Sequence, residues 1–144
     1  MLYLKNQRVK IGINPLGAEL QELTHVEHGN LLWKKDDGLW NRFAPILFPI
    51  VGRLVNDQYT LEGEVYTMRQ HGFARDQVFE VLEYNETSAT LCIKANEDTR
   101  AQYPYEFELQ VTYVLIGPIL KISYEVINRD AKDLLFSIGG HPGF

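Results

Sequence analysis

Apolar and polar residues alternate along most of this chain with a period of two. In Phe107-Glu108-Leu109-Gln110-Val111-Thr112-Tyr113 the alternation is strict. That spacing puts Phe107, Leu109, Val111 and Tyr113 on one face of a strand and the polar residues on the other. Gly117-Pro118 interrupts the run, and alternation resumes with Leu120, Ile122, Tyr124 and Val126 opposite Lys121, Ser123 and Glu125. Proline cannot continue a strand ladder, so the dipeptide predicts a hairpin turn. Asn128-Arg129-Asp130 predicts the next turn, ahead of Leu134-Leu135-Phe136.

The same style runs upstream. Val9, Ile11 and Ile13 alternate after a turn at Asn6-Gln7. Gln58 to Leu61 and Val65 to Met68 flank Glu62-Gly63-Glu64, which predicts a compact hairpin. A strand from Val78 to Tyr84 leads through the polar turn Asn85-Glu86-Thr87 into the alternating Ala89, Leu91, Ile93 and Ala95. No segment carries an amphipathic helical pattern of 10 or more residues, the length at which helix and strand separate cleanly. The best short helix is Glu97 to Gln102, stopped where Pro104 restricts Tyr103. Many short strands with almost no helix predict an all-β sandwich or barrel. With no repeat, linker or low-complexity segment, residues 1–144 read as one domain or part of one. The exception to regularity is Trp40 to Asp57, where Pro45, Pro49 and Gly52 break an apolar run. Such a loop either lines a site or packs as a buried cross-over.

Composition narrows the function. The 144 residues hold 14 Lys and Arg against 19 Asp and Glu, a net charge of −5, which speaks against a nucleic-acid binder. An aromatic content of 12% demands burial and speaks against disorder. No apolar run reaches the roughly 20 residues that span a bilayer, so no membrane partner is expected. The start MLYLKNQRVK lacks a signal-peptide core. A single cysteine, Cys92, rules out an internal disulfide or a multi-cysteine zinc site. These features place the chain in the cytoplasm, with Cys92 structural in its strand.

Four histidines supply the candidate chemistry near neutral pH. His25 and His28 sit at a strand end running into a turn. Their spacing suits a metal, but no third ligand is apparent nearby, so they read as solvated surface. His71 lies in Gln70-His71-Gly72-Phe73-Ala74-Arg75, where the glycine lets the backbone bend and a ligand approach. Arg75 offers a bidentate fork to carboxylate, phosphate or sugar hydroxyls. His141 lies in Ser137-Ile138-Gly139-Gly140-His141-Pro142-Gly143-Phe144, a tight glycine-rich run suited to presenting one imidazole to a cleft. No phosphate-loop lysine, nucleophile elbow or glycosidase carboxylate pair stands out.

Four motifs in order carry a resemblance: Phe48-Pro49-Ile50-Val51-Gly52-Arg53, His71-Gly72-Phe73-Ala74-Arg75, Tyr103-Pro104-Tyr105 and Gly139-Gly140-His141-Pro142-Gly143-Phe144. Together with Gly17-Ala18-Glu19-Leu20 they resemble the aldose 1-epimerases, or galactose mutarotases, most closely the bacterial lactose-operon-associated branch. The resemblance covers essentially the whole chain. It implies a large antiparallel β-sandwich, no metal or organic cofactor, and interconversion of the α and β anomers of a hexose. His141 would then be the general acid on the ring oxygen, His71 would hold the sugar near that oxygen, and Arg53 would bind substrate. Aromatic walls such as Phe48 or Phe73 would stack on the pyranose. The family's general base is a glutamate well downstream of the histidine-proline motif, and the chain ends inside that motif at Phe144. The resemblance therefore makes residues 1–144 the N-terminal part of such a domain, with uncovered β edges open to self-association. Two other readings accompany it. One is a hexose 6-phosphate mutarotase with Arg75 on the phosphate. The other is a carbohydrate-binding module without turnover.

Overall fold

The computed structural model describes all residues 1–144. The runs predicted as strands all form, and the chain has twelve strands in total, all paired antiparallel; Leu2–Lys5 and the two-residue strands Gly29–Asn30, Ile46–Leu47 and Gly139–Gly140 had no alternation to announce them. The first sheet holds β1 (Leu2–Lys5), β2 (Val9–Asn14), β3 (Glu19–His25) and β4 (Gly29–Asn30) in sequence order. β5 (Ile46–Leu47), β6 (Gln58–Leu61) and β7 (Glu64–Thr67) follow. The second sheet holds β8 (Glu80–Tyr84), β9 (Ser88–Lys94), β10 (Phe107–Ile116) and β11 (Ile119–Asn128) in the order β11-β10-β9-β8. β12 (Gly139–Gly140) pairs only with β5, and β6 only with β7.

The inward positions of both sheets meet in one core. Leu4, Ile11, Ile13 and Leu20 come from the first sheet; Leu91, Leu109, Val111 and Tyr113 come from the second. Burying each large apolar side chain contributes about 1.5–3 kcal/mol. Tyr113 also ties the layers through a polar bond, its hydroxyl donating to the Ala18 carbonyl at 2.7 Å. Main-chain links add to this: Lys5 N–H donates to the Glu86 carbonyl and Gly17 N–H to that of Gln77. The expected β-sandwich is therefore present, built from period-two faces.

Most turns fall where the sequence puts them. Gly117-Pro118 joins β10 to β11, and their register pairs Leu120 with Leu115 and Ile122 with Tyr113 on the core face. The Asn85 carboxamide oxygen accepts from Thr87 N–H and Ser88 N–H, fixing that turn. The β6–β7 turn is shorter than expected. Glu64 joins the strand, leaving Glu62-Gly63, both with positive φ, as a two-residue turn of the kind that matches strand twist. The helix is also trimmed, to α1 (Glu97–Arg100), with Asn96 and Thr99 satisfying each other's backbone in a capping box. Val78 stays outside β8, making only an isolated bridge to Leu16.

Candidate functional site

The His71 loop is built on close backbone approach. Gly72 bridges to Phe48, and its φ is +70°. A Cβ on residue 72 would lie 2.2 Å from the Phe48 carbonyl oxygen, so only glycine fits. That oxygen accepts from Phe73 N–H at 3.0 Å and Ala74 N–H at 3.2 Å. The loop is thus clamped to the 46–49 segment, and His71, with φ +69°, is thrown outward to a half-buried position. Gly52 fixes the ring. Its N–H donates to His71 Nδ1 at 3.0 Å, and His71 N–H donates back to the Gly52 carbonyl at 2.8 Å. With Nδ1 accepting, the neutral ring carries its proton on Nε2. Nε2 lies 3.3 Å from the Gln70 amide nitrogen, which is also a donor, so the amide pairs with a protonated Nε2 only by turning its oxygen to the ring. Burial, then Arg75, then His141 lower the His71 pKa from its ordinary value.

His141 arrives from the other end of the chain. Gly139 and Gly140 pair with Leu47 and Ile46. The ladder continues as His141 N–H donates to the Pro45 carbonyl at 3.1 Å and Gly143 N–H to that of Phe43 at 2.9 Å. Trp33 N–H in turn donates to the Gly143 carbonyl. Gly143 is squeezed between two indoles: a Cβ there would lie 2.7 Å from the Trp40 ring and 2.8 Å from the Trp33 Cβ. The result is an exposed imidazole at position 141. Its ring centroid is 6.2 Å from that of His71 and 5.1 Å from the edge-on ring of Trp40.

The segment that carries this ladder is held by a carboxylate. Glu19, only 7% exposed, accepts from Phe43 N–H at 3.0 Å and Ala44 N–H at 3.1 Å through one oxygen. Its other oxygen accepts from the Gln21 carboxamide at 2.9 Å. The irregular run from Trp40 to Asp57 packs in part as a buried cross-over. Ile46, Leu47 and Phe48 are buried in it, while Arg53 stands exposed.

The two arginines behave differently. Arg53 follows Gly52, the residue that holds His71, and its guanidinium grips Asp57 with two bonds of 2.8 and 2.9 Å. That grip raises its pKa, and Asp57's is lowered in return. Arg75 lies in the single turn Ala74–Asp76 and folds back on its own loop, donating to the Gln70 carbonyl at 2.7 Å. Its Nε is buried without a partner, the nearest carboxylate being Asp76 at 3.9 Å. Arg42 braces the same turn from outside, donating to the Arg75 carbonyl and pairing with Asp76.

The expected aromatic walls are corrected. Phe48 and Phe73 are 0% and 4% exposed and pack with Tyr103 and Phe107 in the core. Buried in this way, neither ring offers an open face for stacking on a pyranose. Trp40 is the aromatic beside the His141 imidazole, and the sequence signalled it only as the start of the irregular loop. Glu19 and Gln70 stand in motifs quoted from the sequence, but their roles, holding the 43–44 backbone and flanking the His71 ring, came only from the fold. Cys92 is buried, and burial pushes its thiol up to about 11, in keeping with a structural role. The largest cavity, about 470 Å³, lies behind the loop between Gly72, Arg69 and Gln102 and contains neither imidazole.

Two antiparallel sheets closing on one core, with two histidine-bearing loops side by side, define a galactose mutarotase-like β-sandwich. A galactose mutarotase related enzyme from Lactobacillus acidophilus superposes with a TM-score of 0.95 at 40% identity, over 97% of this chain and 47% of that one. A galactose mutarotase-like protein from Lactobacillus casei gives the same TM-score and identity over 99% and 49%. The aldose 1-epimerase family profile matches residues 1–144, and the chain belongs to that family. Protein LacX of Lactococcus lactis is 37% identical over 147 aligned positions, covering 98% of this chain and 49% of its own length. The chain thus spans about half the length of the relatives it matches.

Proposed function

We propose that these residues contribute the acid side of an aldose 1-epimerase site, acting on the anomeric centre of a hexose. The observation that carries this reading is the 6.2 Å approach of two imidazoles that lie 70 positions apart in sequence. At that separation both can reach oxygens of one monosaccharide. In the proposal His141 protonates the ring oxygen, and the bond from that oxygen to the anomeric carbon breaks. A base removes the proton of the anomeric hydroxyl, leaving an open-chain aldehyde. Rotation and closure on the other carbonyl face, with the protons returned, give the other anomer. An imidazole exchanges protons near neutral pH with little penalty, which suits a step run in both directions. His71 donates from Nε2 to a sugar oxygen, its orientation preset by Gly52. Trp40 covers the pyranose face, and Arg53 adds a donor once it turns from Asp57.

The base belongs to no residue singled out here, and we take residues 1–144 as the N-terminal portion of one sandwich domain. Relatives of about twice the length support that placement. Cytoplasmic residence is part of the same reading, in line with a single buried thiol. The test is polarimetry of α-glucose and α-galactose with the full-length form. Acceleration that His141→Gln removes supports the proposal. Sugar binding without acceleration in that form would leave a carbohydrate-binding module.

A second reading, a hexose 6-phosphate substrate, rests on the unpartnered Nε of Arg75 in the His71 loop. Once the side chain turns from the Gln70 carbonyl, a phosphate would supply the missing acceptor. Equal loss on glucose and glucose 6-phosphate in Arg75→Ala would remove this reading.

A further inference from the structure

The turn between β3 and β4 brings together side chains that the sugar site does not use. His25 ends β3 and pairs with Gly29 across a three-residue turn, Val26-Glu27-His28. That tight reversal folds His28 back over His25. The two rings stack with centroids 4.7 Å apart and planes 18° from parallel. Glu27 stands between the two histidines in sequence, and the fold brings its carboxylate to them: the donor atoms of His25, Glu27 and His28 all lie within 4.8 Å of one another.

We propose that this turn is a binding site for a divalent transition metal of the zinc type, with His25, Glu27 and His28 as protein ligands and water completing the shell. Two imidazoles and one carboxylate are a donor set that suits zinc, nickel or copper and not magnesium or calcium, which take oxygen. Donors around one tetrahedral zinc sit roughly 3.4 Å apart, given bonds of about 2.1 Å. The present spread therefore closes with small rotations of side chains that are exposed or half-exposed. His25 already presents a lone pair: its Nδ1 accepts the Glu27 N–H at 3.2 Å, which requires that nitrogen to be unprotonated. An unprotonated imidazole nitrogen is the form that ligates. The bound ion competes with little. It displaces that long hydrogen bond, if Nδ1 is the ligating atom, and the exposed pair between Glu27 and Arg8 at 2.8 Å. It also ends any contact of the two rings in their present stack. The ion would clasp the end of β3 to its own turn.

The experiment is titration of the metal-stripped chain with ZnCl2 by calorimetry, with MgCl2 in parallel. One zinc per chain with micromolar affinity, no heat from magnesium, and at least tenfold weaker binding in His25→Gln and in His28→Gln are expected. Arg8→Ala, which frees Glu27, should bind at least as tightly as the parent. The His71→Gln/His141→Gln double variant separates this site from the other histidine pair and should bind zinc unchanged. Zinc binding that survives His25→Gln/His28→Gln, or no binding at 1 mM ZnCl2, overturns the proposal. These turn substitutions lie outside the core, and far-ultraviolet circular dichroism verifies that each variant is folded.

Discussion

Gly52 and His71 hold each other by two hydrogen bonds, one from the Gly52 N–H to the ring Nδ1 and one from the His71 N–H to the Gly52 carbonyl. This exchange locks the tautomer of the imidazole as well as its position. It also opposes protonation, since a proton on Nδ1 would face the Gly52 N–H donor. Burial, Arg75 and His141 already lower the His71 pKa below its ordinary 6.5. The sign follows. Below about pH 6.5 the unfolded chain takes up a proton that the native chain refuses, so stability falls on acidification through the native pKa. His71→Gln removes that contribution. Urea denaturation from pH 7.5 to pH 5 should give a flatter stability profile for the variant, and identical profiles would contradict the assignment.

Gly72 is expected to be the least replaceable glycine of the loop. Alanine there meets a carbonyl oxygen at 2.2 Å and a φ of +70°. Gly72→Ala should cost roughly 3 kcal/mol or more, or prevent folding. Equilibrium unfolding or soluble yield measures this, with Gly63→Ala as the milder control because open space surrounds that position.

Glu19 governs the site from a distance. Its carboxylate holds Phe43 and Ala44 N–H, and the ladder beyond them holds His141. Glu19→Ala strands two half-buried donors and should cost about 1–3 kcal/mol. Glu19→Gln keeps an acceptor and should cost less. Chemical denaturation ranks the two variants, and equal losses would show that the hydrogen bonds are not the cause.

Trp40 is expected to act on binding more than on turnover in the full-length form. Trp40→Ala should raise KM roughly tenfold with a smaller change in kcat, whereas His141→Gln should cut kcat by at least a hundredfold. Initial rates by polarimetry over a range of sugar concentrations separate the two patterns. A Trp40→Ala variant with unchanged KM would remove the stacking role.

The ten-residue strand β11 lies at the edge of its sheet and begins at exposed Ile119, which pairs with exposed Ile116 of β10. An unpaired edge of that length invites pairing between copies. The 144-residue chain should therefore self-associate, and Ile119→Lys should weaken the association. Light scattering that shows a stable monomer at all concentrations would refute this.

The sequence by itself determined the alternating strands, most turns and the presence of two imidazoles on glycine-bearing loops. Period-two alternation reports which face of a strand avoids water, and Gly, Pro and Asn report where the backbone reverses; both are local properties. It was silent on which loops meet. Only the tertiary structure decided that His71 and His141 stand 6.2 Å apart and that Phe48 and Phe73 are core while Trp40 is not. Those outcomes depend on two sheets packing against each other and on long-range bonds such as Glu19 to Phe43 and Gly52 to His71. Contacts of that kind join positions far apart in the chain, and no local pattern of residue types records them.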